Sequence, residues 1–137
     1  MTKLDQIYDR LCREVPGLEL RRDEPMARHT TFKVGGPATL MALPGTEEEL
    51  LVTVRTALEE GITPLFVGNG SNLLVDDAGL DALVVKTAPR VSRVEVRENT
   101  LRAGAGISLA QLASAAADHG LTGLEFAHGI PGSLGGA

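Results

Sequence analysis

The spacing of apolar residues predicts two helices in the first half of the chain. Residues 3–15 carry an apolar side chain at every third or fourth position, which is the period of a helix with one buried face. Residues 46–61 repeat this pattern between Thr46, which starts a capping box with Glu49, and Gly61, which ends the helix. The buried stripe predicted for this second helix consists of Leu50, Val54, Ala57 and Leu58.

Short apolar runs predict strands around these helices. Runs of strand length occupy residues 31–34, 39–43, 64–67, 73–75 and 82–86. The charged segment 21–32 is expected to be a polar connection. Residues 91–106 alternate apolar and polar on both sides of Glu98 and Asn99, which indicates a hairpin with one solvated face.

The remaining pattern defines the fold class. Ser108 and Gln111 form a second capping-box pair and open a third helix, which ends at Gly120. A β-α-β unit is therefore followed by an antiparallel ribbon and a helix, so an α/β (α+β) fold is predicted. The last segment, residues 121–137, shows no lasting period and is rich in glycine; we call it the tail.

Composition excludes several functional classes. The chain has 137 residues, 43% of them hydrophobic, and a net charge of -5, which argues against nucleic acid or an acidic membrane surface as the main partner. Cys12 is the only cysteine, so an internal disulfide and a Cys-ligated zinc site are excluded. No apolar targeting segment opens the sequence and no run reaches membrane-spanning length, so a cytoplasmic protein is expected.

A glycine-rich link between two apolar runs is the first candidate for chemistry. Residues 68–72, the glycine loop, read Gly-Asn-Gly-Ser-Asn. A P-loop would need Lys and Ser or Thr after its last glycine, and a dinucleotide fingerprint would need glycine where Leu73 stands. The remaining device is a nest, in which successive main-chain N–H groups converge on an anion such as a pyrophosphate. Ser71 and Asn72 would add side-chain donors; the alternative is a tight turn without a ligand.

Two further segments offer bare main chain. The tail contains the run "GIPGSLGGA", and "AGAG" at residues 103–106 ends a strand just before the third helix. Glycine loses more backbone entropy on folding than other residues, so this many glycines indicate a specific need for them. Close approach of a flat ring or a phosphate to the backbone would be such a need. Separate turns of an ordinary α/β protein are the alternative.

No metal site and no hydrolytic nucleophile are expected. His29, His119 and His128 lie far apart without an i, i+4 pair. Ser71 and Ser133 lack a neighbouring His–acid pattern. No residue of this chain is therefore assigned a catalytic role.

Four motifs in order resemble one enzyme family. They are "HTTFKVGGPA", "VGNGSNLLV", "AGAG" and "GLEFAHGIPGSLGGA". Their order and spacing are similar to the N-terminal part of UDP-N-acetylenolpyruvoylglucosamine reductases, the flavoenzymes of peptidoglycan precursor synthesis. The resemblance runs from about His29 to the last residue.

The resemblance implies an FAD-binding domain of the vanillyl-alcohol-oxidase / p-cresol-methylhydroxylase type. It implies an N-terminal helix and connection at residues 1–25, a first subdomain at 26–89 and part of a second subdomain at 90–137. It also implies that glycines occur where side chains would collide with the cofactor. The implied cofactor contacts are Gly68, Asn69, Gly70, Ser71, Asn72 and Leu73 at the pyrophosphate, Gly104 and Gly106 in the same cleft, and Gly129, Ile130, Pro131, Gly132, Gly135, Gly136 and Ala137 along the diphosphate and flavin ring.

The resemblance also implies a reaction. In that family NADPH reduces the flavin, which passes hydride to the enolpyruvyl group of a UDP-sugar, and a Ser, an Arg and a Glu assist protonation. These three residues lie later in the family's sequences than the matched part, so a truncated, catalytically silent fragment without the substrate domain is expected. Two alternatives remain: another flavin oxidase or dehydrogenase of the same superfamily, and a folded module without cofactor.

Overall fold

The computed structural model describes residues 1–137 as two sheets and three α-helices. The helices are α1 (Lys3–Glu14), α2 (Glu47–Glu59) and α3 (Leu109–Asp118). The strands are β1 (Glu19–Pro25), β2 (Pro37–Leu43), β3 (Leu65–Val67), β4 (Leu80–Lys86), β5 (Val94–Arg97) and β6 (Thr100–Ala103). Short 3-10 helices lie at Met26–His29, Glu125–Gly129 and Leu134–Gly136.

The main sheet has four strands in the order β1-β2-β4-β3. Strands β2, β4 and β3 are parallel, whereas β1 runs antiparallel along the outer edge of β2. The connection from β2 through α2 to β3 leaves room for β4 between them. Because parallel strands share one carboxyl edge, the segments that follow Leu43, Val67 and Lys86 all begin at this edge, where open α/β sheets bind ligands.

Both faces of the central strands are buried. On one face, Ile7 and Leu11 of α1 pack with Leu40 and Leu83. The other face is covered by a second cluster with no α-helix in it; its members include Met26, Met41, Val67, Val75 and Val84. Since Val67 and Val75 both belong to this second cluster, the glycine loop is anchored in the core at both ends.

Several local predictions are confirmed. Helix α1 occupies nearly the predicted range, and α3 carries the full capping box between Ser108 and Gln111. The hairpin β5–β6 turns at Glu98, whose φ is 50°. These features depend on contacts between residues a few positions apart, which the sequence pattern records directly.

The polar connection predicted at residues 21–32 is wrong, because β1 occupies residues 21–25 and a 3-10 helix occupies residues 26–29. β1 pairs with β2 alone, and most of its charged side chains form ion pairs: Arg21 contacts Glu19 at 2.5 Å and Glu24 at 2.7 Å. The strands predicted at residues 31–34 and 73–75 are absent. The segment 73–75 buries Val75 but pairs with no strand, so its apolar residues anchor the glycine loop in the core instead of forming a sheet.

The predicted buried face of α2 is confirmed in part, because Ala57 is buried and Leu50 packs against the core. Its buried residues are Thr53, Thr56 and Ala57, whereas Leu58 is 58% exposed. Thr53 is accommodated in the core because its hydroxyl donates to the carbonyl of Glu49 at 2.7 Å. The predicted capping box is half formed, since Thr46 accepts from the Glu49 N–H while the Glu49 carboxylate accepts from Gly45 instead.

Candidate functional site

A cavity of about 320 Å³ lies at the carboxyl end of β3. This volume is at the lower limit of typical small-molecule sites. The cavity is lined by the end of β3, the glycine loop, the first residue of α3 and part of the tail. The lining residues are Phe66, Val67, Gly68, Asn69, Gly70, Ser71, Asn72, Leu73, Leu109, Ile130, Pro131, Gly132, Ser133, Gly136 and Ala137.

The main-chain donors of the glycine loop are unused. None of the N–H groups of residues 68–73 donates a hydrogen bond within the chain, and neither do the side chains of Asn69, Ser71 and Asn72. Main-chain N–H groups normally find a partner in folded proteins, so a run of free donors along a cavity wall is a place for an acceptor. No lining side chain carries a charge. The site is therefore a neutral cradle of donors, which suits a phosphate held by a nest.

Gly70 is required by the protein itself. Its φ is +65°, and a Cβ placed there would overlap the main-chain carbonyl of His29 and lie 3.0 Å from Cα of Thr30. The N–H of Thr31 donates to the carbonyl of Gly70 at 3.1 Å. The segment 29–31 therefore supports the glycine loop from behind, at a distance that only glycine permits.

The tail reaches the cavity because it is tied to the start of α3. The N–H of Leu109 donates to Gly132 at 3.1 Å, and the N–H of Leu134 donates to Ile107 at 2.8 Å. Ser133 forms an isolated antiparallel bridge with Ser108, the N-cap of α3. These contacts place the tail opposite the glycine loop, although the two are about sixty residues apart in sequence.

Ser133 is a site residue that the sequence analysis missed. The residue is 2% exposed, lines the cavity and makes no side-chain hydrogen bond. A Cβ on Gly68 would lie 2.5 Å from its Oγ, so the absence of a side chain at Gly68 is what makes room for this hydroxyl. The flanking glycines were the available signal, but the serine was weighed only as a nucleophile.

Some of the predicted cofactor contacts lie elsewhere. Gly104, Gly106, Gly129 and Gly135 do not line the cavity. Gly104 faces the backbone of Val91 and lines a second cavity of about 880 Å³, between the start of α2 and the hairpin. Gly106 faces the carbonyl of Thr87, and Gly135 lies against Ala105.

At several of these positions the packing of the chain itself already requires glycine. At Gly68, Gly70, Gly104, Gly106 and Gly135 a side chain would meet other parts of the chain rather than a ligand. Among the glycines predicted to contact the cofactor, only Gly129 and Gly132 have open space where a Cβ would stand. Close packing of main chain shapes the cradle, and the cradle then offers its free N–H groups.

Comparison with known proteins identifies the class. A family model described as "FAD binding domain" matches residues 38–137, and the chain belongs to this family. Two solved structures share the fold, and together with the family model they confirm the predicted FAD-binding fold class. A 4-ethylphenol oxidase from Gulosibacter chungangensis has a TM-score of 0.61 and 20% identity, covering 86% of this chain and 25% of that one. A cholesterol oxidase from Brevibacterium sterolicum has a TM-score of 0.53 and 13% identity, covering 76% and 21%.

More similar relatives carry one name. A UDP-N-acetylenolpyruvoylglucosamine reductase from Alkaliphilus oremlandii is 42% identical over 137 residues, which is 100% of this chain and 45% of the relative. Another from Heliobacterium modesticaldum is 49% identical over 116 residues, covering 85% and 37%. The chain thus spans less than half the length of these curated relatives. The predicted resemblance to this group is confirmed.

FAD is the cofactor of the family to which the chain belongs. The residues present fit it, because a neutral wall of free N–H, amide and hydroxyl donors matches a diphosphate and the apolar lining matches a ring system. No helix of the chain is both long and apolar enough to cross a membrane.

Proposed function

We propose that the glycine loop and the tail hold the diphosphate of FAD between them. The observation that carries this proposal is the unbroken run of free N–H groups at residues 68–73. Asn69, Ser71 and Asn72 would add amide and hydroxyl donors from one wall, and Ser133 would add its hydroxyl from the other. The proposed contacts at Gly104, Gly106, Gly129 and Gly135 would require the cofactor to extend beyond this cavity.

The two walls belong to the two proposed subdomains. Residues 26–89 contribute the glycine loop and residues 90–137 contribute the tail. The diphosphate would therefore bridge them, and the apolar residues Phe66, Leu109 and Ile130 would pack against the neighbouring rings.

We further propose that this chain is the flavin-holding part of a UDP-N-acetylenolpyruvoylglucosamine reductase. The support is the shared name of relatives at 42% and 49% identity. FAD, when bound, would supply hydride transfer between NADPH and the substrate. The reaction adds a hydride and a proton across the enolpyruvyl C=C bond of UDP-N-acetylglucosamine enolpyruvate, and NADPH becomes NADP⁺. The role of this chain's residues is to bind and orient; no acid or base for the proton is assigned among them.

The proposed reaction defines the setting of the protein. Its partner is a small nucleotide-sugar, and the expected location is the cytoplasm, where peptidoglycan precursors for cell-wall growth and division would be made. The net charge of -5 is consistent with a protein that does not bind nucleic acid or an acidic membrane surface.

The reaction is tested on the complete product of the gene that encodes this sequence. Loaded with FAD, it should oxidise NADPH only when UDP-N-acetylglucosamine enolpyruvate is present, as followed by NADPH absorbance. Omitting the UDP-sugar is the control. Oxygen consumption with an alcohol or a hydroxy acid, without NADPH consumption, would instead identify another flavin oxidase of the same fold.

Cofactor binding is tested separately on the 137-residue chain. Titration into FAD should quench flavin fluorescence, and flavin absorbance should accompany the protein through gel filtration. Flavin that elutes free of the protein would favour the module without cofactor.

A further inference from the structure

We infer that Glu24 and His29 are positioning residues for the glycine loop; the inference rests on the proposed role of that loop in holding FAD. Neither residue lines the cavity. Both lie behind it, in the strand and the 3-10 helix that lead to the segment 29–31.

The two side chains form a buried pair. Glu24 is 6% exposed and His29 is 8% exposed. His29 Nε2 lies 2.8 Å from Glu24 Oε1, and Arg21 donates to the same oxygen at 2.7 Å. A buried carboxylate with two such partners holds its neighbours in one arrangement, because breaking either contact leaves a polar group without a partner.

This pair holds the end of the 3-10 helix. The start of that helix is held by the main chain, since Met26 and Ala27 donate to Gly36 and Gly35. No main-chain bond across the fold holds His29, whose ring is instead tied back to β1 through Glu24.

His29 and the residues that follow it contact the glycine loop directly. The carbonyl of His29 faces Gly70 where a Cβ would stand. The bond from the Thr31 N–H to the Gly70 carbonyl, at 3.1 Å, is the only hydrogen bond between main-chain groups that residues 68–72 make, and the Thr31 hydroxyl adds a longer one to the Ser71 carbonyl at 3.5 Å. Both of these hydrogen bonds come from Thr31, so the shape of the glycine loop depends on where this residue is held. Shape in turn decides affinity, because a cradle ordered before binding loses less entropy when the ligand arrives.

The test compares Glu24→Ala with Glu24→Gln. The first measurement is amide hydrogen exchange in the absence of FAD. The reporter is amide hydrogen exchange of Thr31, with the Met26 amide as internal reference because its bond lies at the other end of the same helix. In Glu24→Ala, Thr31 exchange should quicken about tenfold while Met26 changes less, which indicates local rather than global opening. Glu24→Gln should stay close to the unsubstituted protein, because an amide oxygen still accepts from His29 and Arg21.

FAD titration supplies the second measurement. Glu24→Ala should raise the dissociation constant for FAD about tenfold, and Glu24→Gln should keep it within about threefold. Ile7→Val serves as the matched control, since Ile7 lies on the buried face of α1 and its truncation lowers stability away from the loop. Should Glu24→Ala not fold, His29→Leu gives the same comparison, because it leaves Glu24 paired with Arg21.

The outcomes separate the two claims. Equal exchange at Thr31 in all variants would overturn the positioning role. Unchanged FAD affinity in Glu24→Ala, together with a clear loss in Gly70→Ala, would also overturn it. Faster Thr31 exchange with no change of FAD affinity in either variant would support the positioning role and refute the proposed function of the loop.

Discussion

Gly70 and Gly120 have nearly the same backbone conformation but different surroundings. Their φ angles are +65° and +68°, so alanine at either position is strained. Around Gly120 a Cβ would have nothing within 4 Å, whereas at Gly70 it would overlap the carbonyl of His29. Comparing the two positions therefore separates the free-energy cost of a positive φ from the cost of a steric clash with His29.

We expect Gly120→Ala to lower the free energy of unfolding by about 1 kcal/mol and to leave FAD affinity unchanged. Gly70→Ala should cost clearly more and should also displace the glycine loop, with an FAD affinity at least about tenfold weaker. Urea unfolding and flavin fluorescence measure the two effects. Equal losses in both variants would show that the contact with His29 is unimportant.

Ser133 is a buried residue whose hydroxyl makes no hydrogen bond within the chain and lies at the cavity. Ser133→Ala should leave the free energy of unfolding nearly unchanged, because no hydrogen bond within the chain is lost. It should weaken FAD about tenfold, since a hydrogen bond to a charged group contributes about 1.5 kcal/mol. Ser114→Ala, at an exposed position of α3, is the control. A loss of stability without a loss of affinity would make Ser133 a packing residue only.

At the scale of elements, the start of α3 has two tasks. Its N-cap Ser108 accepts from the Gln111 N–H, and its first turn binds the tail through Leu109 and Gly132. Helix α2 has a comparable cap at Thr46 but lies outside the cavity. The two caps therefore form a natural comparison.

Ser108→Ala and Thr46→Ala should each lower the free energy of unfolding by about 1 kcal/mol, the usual cost of losing an N-cap. Only Ser108→Ala should also weaken FAD, because fraying of the first turn of α3 releases Gly132 and Ser133. Urea unfolding and FAD titration of both variants decide this. An equal effect of the two variants on FAD would mean that the tail is held by other contacts.

Elements stabilised by local contacts were predicted well. Helices α1 and α3 and the hairpin β5–β6 follow from spacing, caps and alternation over a few residues. Strand β1 was missed because an edge strand buries little, and its charges are satisfied by ion pairs that no period reveals. The run 73–75 was wrongly predicted as a strand because a segment that anchors a loop in the core needs apolar residues just as a strand does.

At the scale of the whole molecule, an ion-pair chain runs along β1. Arg90 pairs with Glu19, Glu19 with Arg21, and Arg21 with Glu24, which contacts His29. It joins the loop after β4 to the support of the glycine loop. Most of its members are partly exposed, so its strength should depend on pH and on salt.

Acid should weaken the fold through Glu24. Burial favours the neutral acid, but hydrogen bonds from His29 and Arg21 outweigh it, and the pKa of Glu24 lies below its ordinary value of 4.5. A lowered pKa in the folded protein means stability that is present above 4.5 and is lost as pH falls toward the folded value.

The urea midpoint should therefore fall between about pH 5 and about pH 3, and Glu24→Gln should show a smaller fall. Glu19 adds to the loss in the unsubstituted protein, because hydrogen bonds from Arg21 and Arg90 lower its pKa as well. Parallel pH profiles for the two proteins would show that Glu24 does not contribute.

The sequence by itself determined the family and indicated the glycine loop as the candidate site. Glycine, asparagine and serine in sequence favour free, convergent N–H groups, and four ordered motifs are specific to one group of flavoproteins. It also determined the helices with strong caps, because the two residues of a capping box are only three positions apart in sequence. These are properties of neighbours along the chain.

Only the tertiary structure decided what faces the loop. The insertion of β4 between β2 and β3 and the bonds from the tail to residues 105–109 bring Ser133 to Gly68. The same packing turns Gly104 and Gly106 toward the main chain of Val91 and Thr87. Such contacts join residues tens of positions apart, and they form because the buried faces of the sheet leave a single arrangement in which the core closes.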